Sequence, residues 1–221
     1  MASLGGPNIV TNGLVLSLDA ANPKSYVSGS TTWKSLVSTY SGSLNSTAFS
    51  SANNGNLVFS GSSGVAGVTT NYNSVLNDFS VCVWFKAAPQ ISTGRLVDKN
   101  YQTGFWLGYA AGNSTTGSWG GGIIQSLPPY GLYVGPFDQN QWNFICMTRA
   151  GSTQTLYGNG SSMYATQSCS SAAIDSSSLT VGYGGGTWLN GNIANIQIYN
   201  RALSAAEILQ NYNATKSRFN L

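Results

Sequence analysis

The sequence predicts an all-β sandwich of two antiparallel sheets with one short helix close to its C-terminus. Three observations lead there: a succession of short apolar runs, clusters of Gly, Ser, Asn and Pro between them, and one capped helical pattern at the end. Of 221 residues, 42% are hydrophobic and 12% aromatic, enough apolar surface to order one domain of this size.

The first strand is expected within Gly13 to Ala20, where Leu14, Leu16 and Leu18 fall on one side and Ser17 and Asp19 on the other. Similar runs follow at Leu57-Val58-Phe59, Phe79 to Lys86, Arg95-Leu96-Val97, Phe105 to Tyr109 and Leu132-Tyr133-Val134. Trp142 to Arg149, Leu179-Thr180-Val181 and Ile193 to Tyr199 complete the set. Between Thr153 and Thr166 a hairpin is expected, because Asn159-Gly160 can supply the two positive φ angles of a type I′ turn. Near the end, Ser204-Ala205-Ala206-Glu207 reads as a capping box flanked by Leu203 and Ile208 in staple positions, which predicts a helix from about Ala205 to Tyr212. The Gly-rich stretches Gly117 to Gly122 and Gly182 to Gly186 read as loops, and neither an internal repeat nor a linker is visible. The organisation expected is an N-terminal arm over residues 1–12, a sandwich domain over 13–213 and a C-terminal tail over 214–221.

Charged residues are only 7% of the chain, against about a quarter in ordinary soluble proteins, and Gly, Ser, Thr and Asn take their place. A net charge of +3 spread over nine basic residues without a run leaves little counterion release, so nucleic acid is not an expected partner. No Lys or Arg precedes Lys24 and no apolar run reaches the length of a membrane span, so synthesis in the cytoplasm without a signal peptide is expected and a membrane partner is not. The Asn-x-Ser/Thr matches at Asn45, Asn113, Asn159 and Asn213 then read as chance in a chain rich in Ser and Asn. Cys82, Cys146 and Cys169 cannot all pair within one chain, and the first two lie in strand-like runs where Cys packs as a small hydrophobe. All three are expected as free thiols.

With these elements placed, Gly13-Leu14-Val15-Leu16-Ser17-Leu18-Asp19-Ala20 through Tyr26, followed by Thr32-Trp33, resembles the opening of laminin G-like modules of the concanavalin A-like lectin/glucanase superfamily, in versions found in bacterial and bacteriophage proteins, among them bacteriophage structural proteins. Phe79-Ser80-Val81-Cys82-Val83-Trp84-Phe85-Lys86 resembles the family's central strand, Gln141-Trp142-Asn143-Phe144 the strand that opens with Trp, and Leu156-Tyr157-Gly158-Asn159-Gly160 its hairpin. Gly191 to Ala194, Ile198 to Ser204 and Glu207-Ile208 are similar to its closing strand and helix, so the likeness runs from about Ile9 to Phe219. It implies a jelly-roll sandwich. Relatives carry Ca²⁺-binding acids after the strand equivalent to Leu57-Val58-Phe59, where this chain reads Ser60-Gly61-Ser62-Ser63-Gly64, so no cofactor is expected and a family-type Ca²⁺ site is weakened.

The chain has no histidine, which removes the usual general base, the Ser-His-Asp and Cys-His pairs and the commonest zinc ligand. Its acids are Asp19, Asp78, Asp98, Asp138, Asp175 and Glu207, and no Glu-x-Asp-x-Glu of the fold's glucanases occurs. An enzyme is therefore not expected, and a glycosidase would need two of these acids brought together in space. Glu207 is absorbed by the helix cap, Asp78, Asp138 and Asp175 by turns, and Asp19 is the weak candidate for an ion, with the outward side of the first strand as its duller reading. Of six tryptophans, Trp33, Trp84 and Trp142 fall at pattern positions and Trp106 alternates with Phe105 and Leu107, so these read as core. Trp188 reads as core too, though it stays among candidate contacts; Trp119, between glycines, and Tyr130, beside Pro128-Pro129, are the aromatics with least to hold them inside. These readings predict a non-enzymatic bacteriophage virion protein, foremost a capsid decoration or cement protein that self-associates or joins a major capsid protein or tail components. Its arm, through Leu4, Pro7 and Ile9, would contact neighbours. The alternative is a carbohydrate-binding adhesin of a tail fibre or baseplate that uses Trp119, Tyr130 and Trp188 on a host glycan.

Overall fold

A computed structural model describes residues 8–62, 67–89, 92–113, 115–124, 131–160 and 163–221. In chain order the strands are β1 (Leu14–Asp19), β2 (Thr32–Lys34), β3 (Ser41–Asn45), β4 (Ala48–Ser50), β5 (Asn56–Ser60), β6 (Gly67–Thr70), β7 (Phe79–Ala87), β8 (Gly94–Lys99) and β9 (Phe105–Ala111). They continue as β10 (Thr116–Ile123), β11 (Leu132–Asp138), β12 (Asn143–Ala150), β13 (Thr153–Gly158), β14 (Met163–Ser168), β15 (Thr180–Val181), β16 (Tyr183–Gly184), β17 (Thr187–Trp188) and β18 (Asn190–Tyr199). Helix α1 (Ala205–Thr215) and a 3₁₀ turn (Lys216–Phe219) close the chain.

Two antiparallel sheets carry the sandwich. The first runs β14-β13-β12-β7-β18-β5-β4, with β1 also paired to β18; the second runs β11-β10-β9-β8-β15-β6-β3-β2. The long apolar run of β7 has a distinct destination for each face. Phe79, Val81, Val83 and Phe85 enter the core between the sheets, while Cys82 and Trp84 point outward into a second apolar layer with Phe144, Cys146, Tyr199, Leu203, Ile208 and Phe219. Helix α1 and the 3₁₀ turn cover that layer, so a strand buried on both faces reads as a continuous apolar run.

The hairpin and the helix form as the sequence dictates. Asn159 and Gly160 have φ of 46° and 85°, and they follow the end of β13 at Gly158, with β14 opening at Met163. Ser204 and Glu207 make the reciprocal capping box, and α1 runs three residues past Tyr212.

Three expectations are corrected. First, Gly117 to Gly122 is not a loop but the middle of β10, paired to both β9 and β11. Its glycines let neighbouring side chains cross the strand. Part of Gly182 to Gly186 likewise forms the short β16–β17 hairpin. Second, Cys82 and Cys146 are joined by a disulfide, and Cys169 is free and half-buried. The two partners are 64 residues apart in sequence but directly opposite each other on β7 and β12, with Cα atoms 4.1 Å apart. Third, the described part of the arm and the tail pack on the domain itself. Val10 is buried and its N–H donates to Asn211 Oδ1 at 2.8 Å, while Asn8 accepts from Gln210. Phe219 is buried with its ring 4.3 Å from that of Trp84 and 4.6 Å from that of Trp142. Leu4 and Pro7 lie outside the described residues, and Ile9 is half-buried.

Candidate functional site

The aromatics singled out from sequence do not converge. Trp119 was expected at the surface but is fully buried, because it sits opposite Tyr109 on the inward face of β10, beside the Phe137 ring at 5.3 Å. Gly158 makes the space: a Cβ there would lie 2.7 Å from the Trp119 ring. Trp188 is half-buried on β17, paired with Tyr183, and Tyr130 lies outside the described residues.

The acids are likewise dispersed. Asp19 accepts from Ala21 N–H at 2.9 Å and forms an ion pair with Arg218 at 2.8 Å, so a guanidinium from the C-terminal turn takes the place a hard cation would use. Glu207 is paired with Arg201, Asp98 with Arg95, Asp175 bonds Thr103, and Asp78 accepts from Gly151 N–H. Among the described residues no three of the ligand-bearing types cluster to hold a metal ion, and Ser60, Gly61 and Ser62 offer no carboxylate after β5. The family-type Ca²⁺ ligand set does not fit here.

What the fold does assemble lies on the outer face of the second sheet. Arg95 and Asp98 are three residues apart, which in a regular strand puts them on opposite faces. A register shift between Arg95 and Val97 turns both outward, beside Trp106 of β9, which is the register partner of Asp98. The guanidinium carbon of Arg95 stands 4.3 Å from the Trp106 ring centroid and 5.7 Å from that of Tyr101. Arg95 Nε lies 3.3 Å from Asp98 Oδ2 and donates to Gly184 O at 3.4 Å. Below, Trp106 runs across Gly120 of β10, where an added Cβ would come within 3.1 Å of the indole.

The β16–β17 hairpin closes over this cluster. Thr180 Oγ1 donates to Tyr183 O at 2.8 Å, the Thr69 and Tyr183 hydroxyls bond at 2.7 Å, and Gly184 approaches Asp98 so closely that no Cβ would fit. Burial outweighs the attraction of Arg95 and pushes the Asp98 carboxyl up to about 6; burial likewise lowers the Arg95 guanidinium. The indole N–H of Trp106 is buried with no partner among the described residues. Beside the cluster opens a cavity of about 110 Å³, lined by Thr93, Gly94, Arg95, Trp106, Tyr109, Tyr133 and Thr187. Tyr133 is half-exposed, its ring 6.0 Å from that of Trp106. A wider depression of about 530 Å³ near Trp142, Tyr212 and Leu221 has less chemistry to offer. There Trp142 Nε1 already donates to Asn53, and Asn143 to the carbonyls of Asp138 and Gln141.

In the sequence Arg95 is legible only as a strand residue and Trp106 only as a core residue. The usable signal was the alternation Phe105-Trp106-Leu107, which sets Trp106 opposite two core residues. Neither the bulge nor the covering hairpin has such a signal.

A family model described as the Concanavalin A-like lectin/glucanases superfamily, Laminin_G_3, matches residues 60–209. No curated protein matches the sequence. Among solved structures, the chain is similar to domain 4 of AbnA, a GH43 extracellular arabinanase from Geobacillus stearothermophilus in complex with arabinotriose. The identity is 15%, the TM-score 0.62, and the match covers 90% of this chain and 98% of that one. It is also similar to a botulinum neurotoxin type G receptor-binding domain (16% identity, TM-score 0.62, 91% of this chain and 51% of that one). A third likeness is to Trypanosoma rangeli sialidase (17% identity, TM-score 0.66, 95% of this chain and 34% of that one). The chain thus spans about half the neurotoxin domain and a third of the sialidase. At these identities the likeness is one of fold.

Proposed function

The chain belongs to the concanavalin A-like lectin/glucanases superfamily, and from that premise we propose that it is a non-enzymatic carbohydrate-binding module whose contact site is the Arg95 cavity. The observation that carries this reading is the half-exposed Tyr133 beside a guanidinium fixed on Trp106: an aromatic face for sugar C–H groups next to oriented hydrogen-bond donors. Sugar-binding or receptor-binding domains are named among the similar folds, which supports the class without identifying a glycan. Each of three acids engages a different arginine, an arrangement that favours structural roles for them over a catalytic pair. The test is a glycan array followed by titration calorimetry on the full chain and on Tyr133→Ala. Binding that weakens in the variant supports the reading; silence across the array to millimolar sensitivity refutes it.

A second reading, a bacteriophage virion component that decorates a capsid or serves as its adhesin, rests on the phage-like opening Gly13 to Tyr26 and on a chain of which only 7% of residues are charged. Contacts made by such a surface would be salt-resistant, relying on shape and main-chain hydrogen bonds. Electron microscopy of native particles tests it, since density for this sandwich on a capsid or tail supports assembly and its absence counts against it.

A further inference from the structure

We propose that the Arg95 cavity receives the carboxylate of an acidic sugar, so that the glycan bound is a carboxylated one. This rests on the reading of the cavity as a glycan site. The guanidinium spends its Nε on Asp98 and on the Gly184 carbonyl, and its two terminal nitrogens have no partner among the described residues. Arg95 lines the cavity together with Trp106, on whose ring its guanidinium stacks. A guanidinium fork matches a carboxylate through two parallel charge-assisted hydrogen bonds.

The fork is held ready. Trp106 stacks on the guanidinium, Tyr101 stands beyond, and Gly185 lies so close to Nη2 that a Cβ there would collide with it. Ordering of this long side chain is therefore complete before a ligand arrives, which removes a cost of binding. Among the described residues Arg95 is the one charged residue in the lining; Thr93 and Thr187 add hydroxyl side chains, and Trp106, Tyr109 and Tyr133 add aromatic rings. Asp98 lies behind the guanidinium on its Nε side, with a side chain only 6% exposed, so it orients Arg95 and does not line the opening. Lys99 is turned away, donating to Ser177 O beside the Tyr72 ring, and Asp175 is engaged by Thr103. At about 110 Å³ the cavity has room for the acidic end of one sugar, while pockets that bury drug-sized ligands run to about 300–1,000 Å³. The sugar ring would lean on the exposed face of Tyr133.

The experiment is titration calorimetry with the full chain at pH 7.5, using oligomers of galacturonate, glucuronate and N-acetylneuraminate, each against a neutral counterpart with the carboxylate reduced to hydroxymethyl. At least one acidic oligomer is expected to bind, with about tenfold or greater preference over its neutral partner. Arg95→Gln is expected to abolish that preference, and Arg95→Lys to retain part of it. Tyr133→Ala alters a half-exposed side chain and is expected to weaken acidic and neutral ligands alike. Should Arg95→Gln fail to fold, by its thermal melt, Arg95→Lys and Tyr133→Ala carry the comparison. Equal affinity for acidic and neutral sugars overturns the carboxylate assignment and leaves the glycan reading standing. Binding of none overturns both.

Discussion

Replacing Phe219 by Ala tests whether the C-terminal segment belongs to the cooperative fold or is an arm free for neighbours. Phe219 is 5% exposed, with its ring centred 4.3 Å from Trp84 and 4.6 Å from Trp142, and it seals the outer apolar layer beneath which Cys82 and Cys146 are joined. Deleting a buried aromatic ring costs about 3–5 kcal/mol, and a ring covering the outer layer, not the core between the sheets, places the loss at about 3. For a chain of this length that lowers the Tm by roughly 6–12 °C. Urea unfolding should be followed by tryptophan fluorescence, which reports on Trp84 and Trp142 beside the deletion, and by far-UV circular dichroism, which reports on the sheets. Coincident curves with the midpoint moved and the slope unchanged are expected. A loss below about 1 kcal/mol, or a fluorescence transition preceding that of circular dichroism, would refute the reasoning by showing that the segment opens on its own.

Other perturbations bear on the remaining devices. Ser204→Ala should cost about 1 kcal/mol at pH 7 by removing the helix cap, measured by denaturant titration. Arg201 and the Ser204 backbone N–H hold the Glu207 carboxyl down to about 2, so its contribution is present above the usual carboxylate range and is lost as pH falls toward 2. Arg201→Met should flatten the acid limb of the stability profile, and an unchanged limb would count against the pair. Intact-mass measurement without reductant should find one disulfide and one free thiol, and reduction should cost about 4 kcal/mol for a 64-residue separation; three free thiols in protein purified under non-reducing conditions would contradict the Cys82–Cys146 bond. Gly121→Val would place a Cβ 2.8 Å from Met147 Sδ and close to Leu107 and Leu156, so a loss of about 1–3 kcal/mol is expected in a thermal melt, with a neutral result arguing that β10 does not cross the core there.

What the sequence determined by itself is what local chemistry repeats. Alternation at Leu16 and Leu18, the positive-φ pair Asn159-Gly160 and the box Ser204 with Glu207 each encode their element within a few residues, and each element forms where they stand; Leu14 departs from the expected side, because a register shift between it and Leu16 turns it to the outer apolar layer. The two sheets and the closing helix follow from these. Tertiary structure alone decided what depends on residues far apart in the chain. Trp119 looked exposed because its neighbours are glycines, yet Gly158 of β13, far along the chain, leaves the space that buries it. Cys82 and Cys146 meet only because β7 and β12 are adjacent in register. The candidate site depends on a single extra residue in β8, which turns Arg95 and Asp98 to one face, and on a hairpin nearly ninety residues further along that covers them. A bulge leaves the period of a strand intact on either side of it, so its effect appears only where neighbouring strands pair; here that pairing sets a guanidinium against Trp106 at the edge of a cavity.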